Sequence, residues 1–279
     1  MVPSILFRRD RYNEEEYEAA RRHFNVVENR CQCQNSTVIG RYSVLPFYRE
    51  LQDDLCYHNC KLINSHEQHL WIANFDYYHV LSHYTFESWD SRTFPYSNYD
   101  GPMVVKGKTN SKKHFWNTMM FANNRREAVE VASRLYQDEL VGRQELVYRK
   151  YVPLVTYEVG LNGLAFTNEW RCFFLGDRMI AHGYYWTEAE DVETPQFTDE
   201  AMAFALEVGK VCSEYVNFFV LDVGERADGG WILVEVNDGQ MSGLSMIDPD
   251  LFYRKLKEES NADPAQTRGV VDRGQAPLG

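Results

Sequence analysis

No apolar run in this 279-residue chain approaches the length needed to span a bilayer. The opening residues, MVPSILFRRDRYNEEE, carry too short an apolar stretch, with the wrong flanks, for a secretory signal. A cytoplasmic protein is expected. Cationic residues are also scarce: 29 Lys and Arg against 41 Asp and Glu give a formal charge of -12. That balance disfavours nucleic acid and anionic membrane as partners, because both are bound through a Lys/Arg surplus. The six cysteines include no C-x-x-C pair, the nearest spacings being Cys31-x-Cys33 and Cys56-x-x-x-Cys60. Reduced, buried or incidental thiols are therefore expected in place of zinc knuckles or disulfides. No internal repeat is present.

What the chain does have is an ordinary globular composition, 44% hydrophobic and 25% charged, with enough length for about two domains. Residues 1–98 read as mixed α/β: a strand at SILF (4–7), helical spacing at EEEYEAARRHF (14–24), and a helix in RYSVLPFYRELQDDL with Pro46 at its start. Aromatics crowd residues 71–89 without interleaved Lys or Arg, which favours core packing over nucleobase stacking. From Gly101 the pattern is strand (MVVK), polar loop (GKTNSKK), then a helix launched at Asn123 or Asn124 with Ala128, Ala132, Leu135 and Tyr136 inward. A β run follows at 144–155. A hairpin turns next at Gly176–Asp177, and a helix spans 198–215 with Met202, Ala205, Leu206, Gly209 and Cys212 on one side. Residues 259–279, small, polar and punctuated by Pro and Gly, read as a flexible tail.

The chemistry concentrates in a second hairpin. NFFVLDV (217–223) and WILVEVND (231–238) flank Ala227-Asp228-Gly229-Gly230, and an Asp-Gly pair between β-rich runs signals a tight turn. A two-residue turn at Asp228–Gly229 sets Asp222 opposite Glu235, with Asn237 two positions along on the same face. Phe218, Val220, Trp231 and Leu233 are expected on that face and Phe219, Leu221, Ile232, Val234 and Val236 on the other, so both faces read as buried. Opposed Cβ atoms lie about 4.5–5.5 Å apart, a destabilising distance for two carboxylates unless a cation intervenes. An oxygen-only set of two carboxylates and an amide suits Mg²⁺ better than a transition metal. The alternative is a solvated acidic face.

Lys106, Lys108, Lys112 and Lys113 fall within eight positions of an otherwise acidic chain, which implies a small anionic ligand. Gly107-Lys108-Thr109 resembles the end of a Walker A loop, but that motif needs a glycine where Pro102 stands, so it is not a P-loop. What remains is a strand-terminal lysine, Lys106, and a polar loop whose N–H groups, lysines and Ser111 hydroxyl could close over a polyphosphate. A solvated basic turn fits equally well. In the Gly176–Asp177 hairpin, Arg171 is expected opposite His182 and Glu169 opposite Tyr184. Arg171 reads either as a structural ion-pair partner of Glu169 or as a group bearing phosphoryl charge. His182 reads as a packed histidine.

Taken in order, VVKGKTNSKK, LVYRKYVPL, NEWRCFFLGDRMIAHGYYW and FFVLDVGERADGGWILVEVND resemble the ATP-grasp superfamily. The likeness is to a small clade of phages and bacteria related to the eukaryotic cell-division-cycle protein that assembles a translation initiation factor. It covers roughly residues 100–250. The resemblance implies an α+β fold in which two α+β subdomains (99–258) sandwich a nucleotide, preceded by a small α/β domain that helps hold the acceptor. It further implies that Lys106 touches the α-phosphate and that Gly107, Lys108 and Ser111 belong to a mobile phosphate loop. Arg149, Lys150, Tyr151 and Val152 would form the adenine-reading hinge, and Arg171 would lie near the γ-phosphate. Asp222, Glu235 and Asn237 would ligate Mg²⁺. The loop after Lys106 lacks the glycine run of the larger superfamily. The activity so implied is an ATP- and Mg²⁺-dependent, ADP-forming carboxylate–amine ligase working through an acyl phosphate, with an amino acid, peptide or protein terminus as acceptor. The rival is an ATP-binding assembly factor that clamps a protein partner without ligation.

Overall fold

The computed structural model describes residues 2–187 and 195–262. The N-terminal part is a parallel sheet in the order β2-β1-β3-β4. Its elements are β1 (Ser4–Phe7), α1 (Glu14–His23), β2 (Asn25–Val27), β3 (Thr37–Arg41), α2 (Tyr48–Tyr57) and β4 (Lys61–Leu62). Helical crossovers carry the chain from β1 to β2 and from β3 to β4, as parallel neighbours require. Both faces of β1 are covered. Leu6 packs with Leu51 and Leu55 of α2, while Ile5 and Phe7 pack with Tyr17 and Ala20 of α1. The helix expected around Pro46 begins two residues later, at Tyr48, after a cis Leu45–Pro46 bond. Two short helices, α3 (His66–Ala73) and α4 (Tyr77–Leu81), carry the aromatic cluster into the core, with Ile72, Tyr77 and Leu81 buried.

The middle sheet is antiparallel, in the order β5-β8-β6-β7. It contains β5 (Ser88–Asp90), β6 (Met103–Gly107), β7 (Phe121–Ala122) and β8 (Leu146–Lys150), backed by α5 (Trp116–Met119) and α6 (Arg125–Tyr136). Asn124 caps α6 by accepting from the Glu127 N–H at 3.0 Å. Ala128, Ala132 and Leu135 face inward as expected, but Tyr136 is exposed and Val131 takes its place in the core. The β run expected to reach residue 155 ends at Lys150, where the chain leaves the sheet as an extended connector.

The third sheet, β12-β11-β13-β14, is also antiparallel. After the small β9 (Thr156–Val159) and β10 (Ala165–Thr167) pair come β11 (Glu169–Leu175), β12 (Arg178–Tyr184), α7 (Asp199–Cys212), β13 (Phe218–Glu225), β14 (Trp231–Asp238) and α8 (Pro249–Asn261). One face packs on α7 and the other on α8 and α1, so the sheet is buried on both sides. The buried stripe of α7 is Ala201, Ala205, Val208, Gly209 and Cys212, whereas Leu206 is exposed and Met202 only half-buried. Helix α8 continues to Asn261, past residue 258 where the folded part was expected to end. The tail from residue 263 lies outside the described residues. No helix among the described residues is long and apolar enough to cross a membrane.

Both hairpins depart from the simple two-residue turn. At the acidic hairpin the Arg226 N–H donates to the Gly230 carbonyl at 2.9 Å, so the loop holds three residues, with Gly229 and Gly230 at φ of 99° and 79°. A Cβ at either glycine would meet nothing, so glycine stands there for its backbone freedom alone. A β-bulge at Val234 then restores the register, and Asp222 does pair with Glu235. The bulge moves Leu233 opposite Val223, and Trp231 and Leu233 join the α7 face and not the face expected for them. In the β11–β12 hairpin a second irregularity, at Ile180, puts Gly183 opposite Arg171, His182 opposite Cys172 and Tyr184 opposite Trp170. The expected Arg171–His182 and Glu169–Tyr184 pairs therefore do not form.

Candidate active site

The connector from Lys150 to Val155 runs along the tip of the acidic hairpin. Ala227 N–H donates to Pro153 O at 2.9 Å, and Val155 N–H donates to Glu225 O at 2.8 Å. This fastening leaves a cleft between the middle sheet and the third sheet, lined by Lys106, Ser111, Arg149, Lys150, Tyr151 and Val152. Trp116, Leu154, Leu164 and Trp186 supply apolar walls, and Glu169 and Glu235 project from the third sheet. The Val152 N–H donates to no acceptor among the described residues, which leaves a donor at the cleft wall for a heterocycle.

Two ion pairs join at the cleft's polar end. Lys106 Nζ of β6 donates to Glu235 Oε1 of β14, bridging the two sheets. Burial pushes the Glu235 carboxyl up, but the Lys106 ammonium and the Arg149 guanidinium outweigh it and hold the pKa below the usual range. Beside it Arg171 grips Asp222 through both oxygens, Nε to Oδ1 and Nη2 to Oδ2 at 2.8 Å each, while Nη1 donates to Gly243 O at 3.0 Å. Asn237 Nδ2 donates to Asp222 Oδ2 at 3.1 Å and reaches Glu235 Oε2 at 3.5 Å. The three predicted metal-binding side chains thus converge. Among the described residues no cluster of three or more His, Cys, Asp or Glu side chains suited to a metal exists, so the candidate donors are two carboxylates and one amide. The set is all oxygen, which fits Mg²⁺. Glu235 Oε2 and the Asn237 carbonyl oxygen are its freest atoms, because Asp222 is already held by arginine.

The phosphate loop divides. Lys106 and Ser111 line the cleft. Gly107 does not; it lies against Gln144, where a Cβ would fall 2.5 Å from Oε1. Lys108 pairs with Glu145 at 2.7 Å and Lys112 with Asp138 at 2.6 Å, and Lys108 borders a neighbouring pocket instead. Lys113, which the sequence reading left out of the site, lines the cleft over the rings of Tyr185 and Trp186, 4.9 and 5.0 Å from their centroids. Its signal was its place in the lysine cluster.

Arg149 takes a different part from the one the hinge motif implies. Buried beneath the cleft, it donates from Nη1 to the Val234 carbonyl at 2.7 Å and from Nη2 to Thr85 Oγ1 at 2.8 Å. The bulged residue offers its carbonyl to an arginine from the other sheet, so Arg149 helps fix how the sheets meet. Glu169 is the other unforeseen feature. Burial first, and the nearby Asp222 charge second, push its carboxyl up to about 8, so it is largely protonated at neutral pH.

A nucleotide-sized cleft between two α+β subdomains, with lysines on one wall and paired carboxylates on the other, defines an ATP-grasp protein. The chain belongs to a family of ATP-grasp domains, the third family of its clade, whose model matches residues 95–256. Its fold is similar to that of D-cycloserine synthetase DcsG (14% identity, 92% of this chain and 100% of that one, TM-score 0.58). It is similar also to N5-carboxyaminoimidazole synthetase from Staphylococcus aureus complexed with ADP (9% identity, 92% and 77% covered, TM-score 0.58). A third likeness is to ATP-grasp ligase PsnB complexed with minimal precursor, Mg and ADP (11% identity, 92% and 98% covered, TM-score 0.53). No curated protein sequence matches the chain.

Proposed function

We propose that this protein is an ATP- and Mg²⁺-dependent carboxylate–amine ligase that forms ADP through an acyl phosphate. The supporting observation is the meeting of Lys106 and Glu235, from different sheets, beside the Arg171–Asp222 pair at the polar end of an otherwise apolar-walled cleft. Adenine is assigned to the apolar end, with the Val152 N–H as donor, and the triphosphate to the end bearing Lys106, Lys113 and Ser111. Glu235 and Asn237, with Asp222 behind them, would hold Mg²⁺. When bound, that ion neutralises phosphate charge and favours in-line transfer to a carboxylate. The chain's own part is alignment and charge neutralisation: Lys106 and Lys113 meet phosphate oxygens, and Arg171 presents its remaining guanidinium hydrogens from a site fixed by Asp222 and Gly243. Trp116, Leu164 and Trp186 keep water from the nucleotide. The acceptor class is an amino acid, a peptide or a protein terminus.

The test is incubation with ATP, Mg²⁺ and mixtures of amino acids and peptides, followed by mass spectrometry. A new amide with equimolar ADP and phosphate is expected. Tight nucleotide binding without turnover, accompanied by a co-purifying protein, would instead favour an assembly factor that clamps its partner.

A further inference from the structure

A second pocket opens on the far side of Asn237. It lies where α3 of the N-terminal domain, the loop Lys108–Asn110 and the end of β14 come together, and it encloses about 160 Å³. His69 lines it, yet only 4% of this residue is exposed. Nδ1 makes the one hydrogen bond His69 forms among the described residues, to Asp238 Oδ2 at 3.2 Å.

The surroundings of Asp238 settle what that nitrogen does. Its Oδ1 accepts from Asn64 Nδ2 at 2.9 Å and from the Gln240 N–H at 3.0 Å. A carboxylate so supplied with donors acts as an acceptor toward His69 as well, so Nδ1 carries the hydrogen. The neutral ring then has Nε2 as its acceptor. The ring cannot turn away, because it stacks on Tyr48 with centroids 4.3 Å apart and planes 10° from parallel, and Tyr48 is itself held by Gln240 Nε2 at 2.6 Å. A fixed lone pair in a pocket selects a ligand that donates.

Charge points the same way. The pocket's one lysine, Lys108, is already matched by Glu145, whereas Asp238 has no cationic side chain against it other than His69. The excess is negative, which suits an amine and repels a carboxylate. Leu45, Ile72 and Met241 add an apolar wall beside the polar floor.

We infer that this pocket binds the amine-bearing substrate, a primary amine carrying an apolar side chain, with His69 Nε2 accepting its N–H and Asp238 fixing the imidazole. The inference deepens the ligase reading and rests on it for the meaning of the amine, but the binding itself is testable without turnover.

The experiment is a titration of the full-length, nucleotide-free protein, labelled with ¹⁵N-histidine, followed by NMR. Leucinamide, which has the amine and no carboxylate, is expected to bind saturably and to shift the His69 Nε2 resonance. N-acetyl-leucinamide and 4-methylpentanoate, lacking the amine, are expected to leave it unmoved. His69→Gln should weaken leucinamide about tenfold or more, equivalent to ~1.4 kcal/mol. Ala73→Leu, which fills the pocket without touching the imidazole, should do the same. Equal binding of the acetylated probe, preference for the carboxylate, or an unshifted His69 resonance would each overturn the inference. Free leucine against Leu-Gly-Gly separates an amino acid from a peptide terminus as the source. If leucinamide binds at His69 and no ATP-dependent amide ever forms, the ligase reading fails and the amine site stands.

Discussion

Arg171 and Asp222 are direct cross-strand partners on β11 and β13, and the guanidinium holds both carboxylate oxygens at 2.8 Å. Asp222 is 1% exposed, and Arg171 stays protonated because that carboxylate outweighs the cost of burial. A pair so enclosed contributes modestly when intact and costs heavily when broken, because one charge is left buried and unmatched.

Arg171→Met should therefore lower unfolding stability by roughly 3–5 kcal/mol. Adding Asp222→Asn removes the orphaned charge and should restore a large part of the loss. Urea denaturation of the two single variants and the double variant measures the coupling; additive effects would show that the pair is not energetically linked.

Glu235→Gln should weaken binding of Mg²⁺–ADP much more than binding of ADP in EDTA, because the substitution removes the carboxylate assigned to the metal and keeps the side chain's shape. Calorimetry with and without Mg²⁺ reads the difference. An unchanged Mg²⁺ dependence would remove Glu235 from the metal site.

Lys106→Ala should reduce ATP affinity by about 1.5–3 kcal/mol, the usual worth of a hydrogen bond to a charged group. Adenosine affinity should be little altered. An equal loss for both ligands would argue that Lys106 acts only by neutralising Glu235.

Glu169 gives a pH dependence with a definite sign. Its carboxyl pKa is raised in the folded state to about 8 from 4.5, so between these values the unfolded chain has released a proton that the folded protein keeps. Stability should fall as pH rises through that window, by up to about 1.4 kcal/mol per pH unit from this group, and level off above it. Glu169→Gln should flatten the profile, so that the variant gains on the native protein at pH 8 and not at pH 5. Melting curves in EDTA across pH 5 to 9 check it.

Gly209→Ala sets two effects against each other. Alanine favours a helix interior over glycine by about 1 kcal/mol. The added Cβ, however, would fall 2.3 Å from Phe174 Cε1, and Phe174 is fully buried and stacked on Phe219. Overpacking of this kind costs about 1–3 kcal/mol, so the variant should be less stable in chemical denaturation.

Much of the local structure was legible. The 3.6-residue spacing of Ala128, Ala132 and Leu135 marked α6 and Asn124 its cap, and the strands around Asp228 and Gly229 announced the acidic hairpin. The pairing of Asp222 with Glu235 came out as expected for a reason the sequence did not contain: a loop one residue longer than expected was offset by one extra residue at Val234. No such offset protected the other hairpin, where the bulge at Ile180 moved Arg171 from His182 to Gly183. Bulges leave little trace in composition because any residue with a suitable carbonyl partner can take one. For Val234 that partner is Arg149, 85 positions away.

By itself the sequence determined which residues alternate to one face of each strand, where helices begin, and which side chains carry oxygen or charge, since these follow from backbone geometry over a few neighbouring residues. Tertiary structure alone decided which charges meet. Lys106 finds Glu235 across 129 positions, His69 finds Asp238 across 169, and Lys108 and Lys112 are drawn off to Glu145 and Asp138. Such pairings depend on how separate sheets and domains pack, and burial makes a charge keep whatever partner that packing brings within reach.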